Sequence, residues 1–280
     1  MKKVVAYVAS RNNNSRTVTI TENLLTELKR SLDHRINITL ITPLTHNVLP
    51  PTGCKSCFNH GICPSDSLMN DDTNLIKKEL LEADLLFLVS PVYSHNVSGD
   101  MKNLIDRISY WAHIFKLASK PIILLASAES NGAKYVINYM NKVFSAMGAT
   151  IIGQETFLNT VENSYKGKVD SIINLSKKVL SQNVFLSPTE QQENLFQYLK
   201  QTISTYNNEH FEYNYWLQNG LFKKNSLEEY FCFLEYFPIM NPAAPPIIAA
   251  TILEYNNPNT TASPNANAND SEFIKITFHI

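Results

Sequence analysis

Along the first two-thirds of the chain, apolar residues form compact runs, and between the runs they recur every three or four positions. The runs are KVVAYVAS (3–10), INITLIT (36–42), DLLFLVS (84–90), PIILLAS (121–127) and ATIIGQETF (149–157), and each predicts a strand. Several are continuous rather than alternating, which is the pattern of strands buried on both faces and so of a parallel sheet. Helical spacing predicts a helix over 17–32, where Leu24, Leu25, Leu28 and Leu32 share a face. Further helices are predicted over 72–82, 99–116, 132–147 and 165–182. Five strands with intervening helices make a doubly wound α/β fold, whose ligands sit outside the carboxyl ends of the strands. A site is therefore expected in the polar stretches that follow residues 9, 42, 90 and 127.

The pattern changes after Pro188. Residues 185–237 carry about half of all the aromatic residues, in runs such as YNYWLQNGLF and EEYFCFLEYF. NPAAPPIIAA follows, and then NNPNTTASPNANAND, which has too few apolar residues to pack and reads as a flexible loop over 256–270. SEFIKITFHI then alternates as a strand does. The expected division is a sheet domain over 1–184 and an aromatic-rich extension over 185–280. Aromatic side chains give large, rigid contact area, so the extension suits a cap over the site or a dimer interface.

Composition narrows the function classes. A 44% hydrophobic share over 280 residues supports a sizeable core. Net charge is −1, so nothing steers the chain towards nucleic acid. No apolar run is long enough to span a membrane. MKKVVAYVAS starts as a secretory leader does, but its short apolar run meets RNNNSRT and reads as a buried strand. Only four cysteines are present, three of them crowded into one loop, which suits reduced thiols and a cytoplasmic location.

The loops carry the chemistry. ASRNNNSRTVTI opens a helix with hydroxyls at Ser10, Ser15 and Thr17, which suits a phosphate at a helix N-terminus; an unliganded Ser/Thr cap uses the same residues. SPVYSHNVSGDMKNLIDR (90–107) places Pro91 and Tyr93 in a tight turn, where backbone amides can lie against a flat heteroaromatic ring. The alternative there is an ordinary strand-to-helix loop. SAESNGAKYV supplies a third, Gly-containing turn.

The 90–107 run resembles the signature of flavodoxin-like NAD(P)H-dependent FMN reductases, in the branch that includes the iron–sulfur flavoproteins. The first loop is similar to that family's phosphate turn, with Ala9 in place of the usual Gly and Arg11 in place of the usual Pro. The resemblance covers residues 1–182. It implies that Ser10, Ser15, Arg16 and Thr17 hold the FMN phosphate. It also implies that Pro91, Val92, Tyr93, Ser94 and Asn96 line the isoalloxazine, and that Ser127, Asn131 and Gly132 close its other side. Tyr93 and His95 are the candidate catalytic side chains, and Asp106 and Arg107 are expected to form a structural or subunit-facing charge pair. There is no Gly-x-Gly-x-x-Gly fingerprint, so NAD(P)H is expected to stack on the flavin itself.

The same branch carries Cys-x2-Cys-x2-Cys-x5-Cys followed by Asp-Asp. Cys54, Cys57, Cys63 and Asp71-Asp72 fit the last three cysteines and the acidic pair, and Pro51 occupies the first cysteine position. Three readings stay open for this loop: thiols without metal, zinc on Cys54, Cys57, His60 and Cys63, or an iron–sulfur cluster. The expected activity is transfer of hydride or electrons from NAD(P)H through FMN to a quinone-like or tailored small molecule, in a homodimer or homotetramer. The rival readings are a flavodoxin-like electron carrier and a module that has lost its flavin.

Overall fold

The computed structural model describes residues 1–159, 165–182 and 184–236, and the backbone of 274–276; the 256–270 stretch lies outside the described residues. The sheet is built from β1 (Lys2–Val8), β2 (Ile36–Ile41), β3 (Leu85–Tyr93), β5 (Pro121–Ala128) and β6 (Thr150–Leu158). These run parallel in the order β2-β1-β3-β5-β6, with a short β4 (Asn96–Val97) antiparallel to β3. This is the flavodoxin-like strand order, and the order reverses direction between β1 and β3.

Side-chain alternation sorts the core into two layers. Val4, Ala6, Val8, Phe87, Val89, Ile123 and Leu125 face α1 (Arg16–Ser31) and α6 (Tyr165–Ser181). Val5, Tyr7, Leu86, Leu88, Ile122 and Leu124 face α3 (Thr73–Glu82), α4 (Gly99–Arg107) and α5 (Ala133–Ala146). Each inner strand is thus apolar on both faces, as its continuous run predicts.

The structure departs from the sequence expectation in two places. The helix expected over 99–116 stops at Arg107, and a 3-10 turn over Ser109–Ala112 continues the chain, with Phe115 at φ +46°. Tyr110, Trp111, Ile114, Phe115 and Leu117 are all buried. A continuous helix buries only one stripe, so the chain leaves helical geometry to bury all five. In addition, β3 runs on to Tyr93 and turns back through β4 as a hairpin.

The segment after 184 joins the same core. It forms β7 (Val184–Leu186), α7 (Glu190–Ser204), α8 (Phe211–Gln218) and α9 (Leu227–Tyr236), and β8 (Ile274–Ile276) pairs in parallel with β7. A Thr189/Gln192 capping box starts α7, and the Gln192 amide also donates to Ser145 O and Ala149 O. Phe196 stacks on Trp216, and both rings meet Phe115. Trp216 Nε1 donates to His113 O at 2.8 Å. Among the described residues no helix is long and apolar enough to cross a membrane.

Candidate functional site

The loops after β1, β3 and β5 meet at the carboxyl edge of the sheet, beside the point where strand order reverses. After β1 the chain turns through residues 9–15. Ser10 Oγ and Ser15 Oγ lie 2.9 Å apart, and Ser15 caps α1 by accepting from Val18 N–H. No acidic residue occupies the first turn of α1. Arg16, its first residue, donates through Nη2 to Leu158 O at 2.8 Å, while its Nη1 is buried without a partner. An unsatisfied buried guanidinium nitrogen is costly unless an anion completes it. A helix N-terminus, a cation and two hydroxyls therefore converge here as donors, and this set fits a phosphate.

The 90–98 segment is fastened to that loop. Ser98 Oγ donates to Ala9 O at 2.8 Å, Ser98 N–H donates to Ser90 Oγ, and Arg11 pairs with Asp100 at 2.8 Å. Ser94 and His95 form the two-residue turn of the β3–β4 hairpin, both at positive φ. For residues with a side chain this conformation costs on the order of 1 kcal/mol or more each. Neither is Gly or Asn, so the strained turn is a feature of the site and not a default. The hairpin leans on the β5 loop: Gly132, at φ +85°, packs against Val92 Cγ1 and the His95 backbone, and a Cβ there would overlap Val92.

The expected residues divide by exposure. Tyr93, Ser94, His95, Asn96 and Asn131 are exposed, and Pro91, Val92 and Gly132 are half-buried. Asn96 turns its Oδ1 back to Val97 N–H. Thr17 and Ser127 are buried and share a hydrogen bond at 2.5 Å, which ties α1 to β5. This contact holds the two loops in register. Tyr135 escaped the sequence reading: it is exposed on the first turn of α5, with its ring 5.7 Å from His95. Nothing in its local pattern separates it from any other exposed helix residue.

Asp106 and Arg107 do not pair with each other. Asp106 binds Lys102 at 2.6 Å on the exposed face of α4. Arg107 points inward, 1% exposed, and binds Asp71, Asp66 at 2.5 Å and Leu49 O at 3.0 Å. Lys77 also holds Asp66. Burial alone would raise the Asp71 carboxyl, but hydrogen bonds from Arg107 and Thr73 and the guanidinium charge outweigh it and hold the carboxyl below its ordinary range. One buried cation thus anchors the whole connection from β2 to α3, and the helical position of Arg107 alone does not reveal this.

That connection carries the cysteines. Cys54 is exposed just before the short α2 (Ser56–His60), Cys57 lies half-buried on its inner side, Cys63 is half-buried beyond it and His60 is exposed. Among the described residues no three His, Cys, Asp or Glu side chains are gathered so as to hold a metal ion. Within the set Cys54, Cys57, His60 and Cys63, Cys54 and His60 are exposed while Cys57 and Cys63 are half-buried. Phe58 packs edge-on against Tyr110 and His113, and Phe211 of α8 closes over Gly61. The Thr52 hydroxyl and the Ser56 amide push the Cys54 thiol below its ordinary value. Burial, then the nearby Cys63, push Cys57 up.

Comparison with known proteins gives a consistent family. Residues 2–163 match the family model described as NADPH-dependent FMN reductase. Two curated relatives are named iron-sulfur flavoproteins. The one from Archaeoglobus fulgidus is 34% identical over 105 residues, 36% of this chain and 45% of its own length. The one from Methanocaldococcus jannaschii, MJ1083, is 30% identical over 106 residues, 37% of this chain and 53% of its own. The chain thus spans about half the length of the curated relatives it matches. Among solved structures, an apo NADH:FMN oxidoreductase (EMOB) aligns with TM-score 0.47 at 19% identity, covering 69% of this chain and 94% of that one. An FMN-dependent NADH-azoreductase from Bacillus anthracis in complex with FMN aligns with TM-score 0.49 at 12% identity, covering 63% and 100%.

Proposed function

The chain belongs to the NADPH-dependent FMN reductase family, and from that membership we propose that it binds FMN at the β1/β3 switch point and reduces a second small molecule with NAD(P)H. The observation that carries this reading is Arg16. Its buried, partnerless Nη1 stands at the head of a helix that has no acid in its first turn. When bound, FMN supplies the hydride chemistry, accepting from the nicotinamide and passing reducing equivalents on.

The protein's own residues position and exclude. Arg16, Ser10 and Ser15 hold the phosphate. The Thr17–Ser127, Ser98–Ala9 and Arg11–Asp100 contacts keep the three loops in register. The strained 92–97 hairpin presents peptide groups to one edge of the ring, and the half-buried Val92 and Gly132 keep water from that edge. Tyr93 and His95 are exposed beside it and are the side chains placed to meet the second substrate. The reading includes a homodimer and a cytoplasmic location.

The test is a titration of the full chain with FMN, followed by flavin fluorescence, and then NADPH and NADH oxidation with a simple quinone. Saturable quenching and acceptor-dependent oxidation are expected. A protein that neither retains nor takes up FMN refutes the reading. Sedimentation of the loaded protein tests the homodimer, which a monomer at all concentrations refutes.

A further inference from the structure

We propose that Cys54 and Cys57 are a dithiol–disulfide couple, a second redox site that exchanges with low-molecular-weight disulfides. Three observations converge on the pair. The spacing Cys-Lys-Ser-Cys is the interval at which two sulfurs can join across a single turn of chain. Their surroundings are asymmetric: Cys54 is exposed to an incoming disulfide, while Cys57 is half-buried and packed against the main core. Lys55, between them, takes the left-handed conformation at φ +58° at the head of the short α2, and the Cys54 sulfur lies within hydrogen-bond reach of the amide of Ser56, the residue before Cys57.

The loop is also held still. The Arg107–Asp66–Asp71 network fixes its base, Phe58 sits between Tyr110 and His113, and Phe211 covers Gly61. Preorganisation of this kind favours closure of one specific bond. The donor set points away from a cluster: three thiols with Pro51 at the fourth position, and no three-ligand group among the described residues.

The exchange balances without an outside reductant or metal. The Cys54 thiolate attacks one sulfur of the disulfide RSSR and breaks its S–S bond. The departing RS⁻ takes up the proton that Cys54 released. Cys57, deprotonated by solvent, then attacks the Cys54 sulfur of the mixed disulfide, and a second RSH leaves. Two cysteine thiols and one RSSR become one Cys54–Cys57 disulfide and two RSH.

The test treats the reduced full chain with oxidised glutathione and maps the product by tryptic mass spectrometry. Cleavage after Lys55 separates the two cysteines, whereas Cys57 and Cys63 share the peptide 56–77. The expected result is peptide 36–55 joined to peptide 56–77, with the loss of two hydrogen atoms and no retained glutathione. Cys63→Ser should give the same link, and Cys57→Ser should stop at glutathione on Cys54. A Cys57–Cys63 bond, a stable glutathione adduct on Cys54 of the unaltered chain, or no reaction would each overturn the proposal. So would iron bound to the purified protein through these thiols. None of these readouts depends on flavin.

Discussion

Replacing Arg107 with Met tests the buried anchor of the cysteine loop. The guanidinium is 1% exposed, the Asp71 carboxylate 0% and Asp66 10%. After the substitution Asp66 keeps Lys77, but Asp71 keeps only the Thr73 and Leu49 amides, at 2.9 and 3.3 Å. Removing one partner of a buried pair costs about 3–5 kcal/mol, because the remaining charge stays desolvated. At about 2–4 °C per kcal/mol for a chain of this size, Tm should fall by about 6–20 °C. The cost should depend on pH. In the unaltered protein the Asp71 carboxyl is depressed, so its contribution is complete above the ordinary carboxylate value of 3.8 and is lost as pH falls through the lower folded value. In the variant, burial without a cation raises the same carboxyl, so mild acid neutralises it and relieves the penalty. The stability gap should therefore narrow between about pH 7 and about pH 4. The double variant Asp71→Asn/Arg107→Met should recover most of the loss. Urea unfolding across that pH range measures all three. A cost under about 1 kcal/mol at neutral pH, or a gap that does not change with pH, refutes the reasoning.

Four further outcomes are expected. Arg16→Ala should weaken FMN by about 10- to 150-fold, the equivalent of a charged hydrogen bond of about 1.5–3 kcal/mol, and leave riboflavin binding unchanged because riboflavin has no phosphate; equal losses for both ligands would show that Arg16 does not read the phosphate. Trp216→Ala should cost about 3–5 kcal/mol in denaturant unfolding, since the ring is fully buried between Phe196 and Phe115, and deletion of 190–280 should expose Phe115 and the core face it shares with Tyr110 and Trp111, giving an insoluble or molten chain rather than a minimal reductase. Gly61→Ala, at φ +72° and under the Phe211 ring, should lower Tm and speed alkylation of Cys57, whereas Gly61→Ala/Phe211→Ala should recover only the steric part.

The five parallel strands and the three polar loops at their tops are legible in the linear pattern, because burial on both faces leaves a continuous apolar run that local sequence cannot hide. The first helix and its serine cap are equally local. From local sequence the same hydroxyls read equally as an anion site or as an unliganded helix cap.

What the chain order does not disclose is where side chains from distant segments meet. Arg107 ends an exposed-looking amphipathic helix, yet it serves the 49–71 loop through carboxylates 36 and 41 residues earlier. Thr17 and Ser127 sit in loops far apart in the chain, and the fold brings their hydroxyls within hydrogen-bond distance across 110 residues. The aromatic run after 184 reads as an appendage, but Phe196, Trp216, Tyr230 and Phe231 complete the core that Tyr110, Trp111 and Phe115 begin. By itself the sequence determined the doubly wound class, the polar loops at the carboxyl ends of the strands and the cysteine spacing, since these follow from local periodicity and turn chemistry. Tertiary structure alone decided which polar groups pair inside the protein, which stay without a protein partner and which thiols are exposed or half-buried, because burial and pairing depend on contacts between residues far apart in the chain.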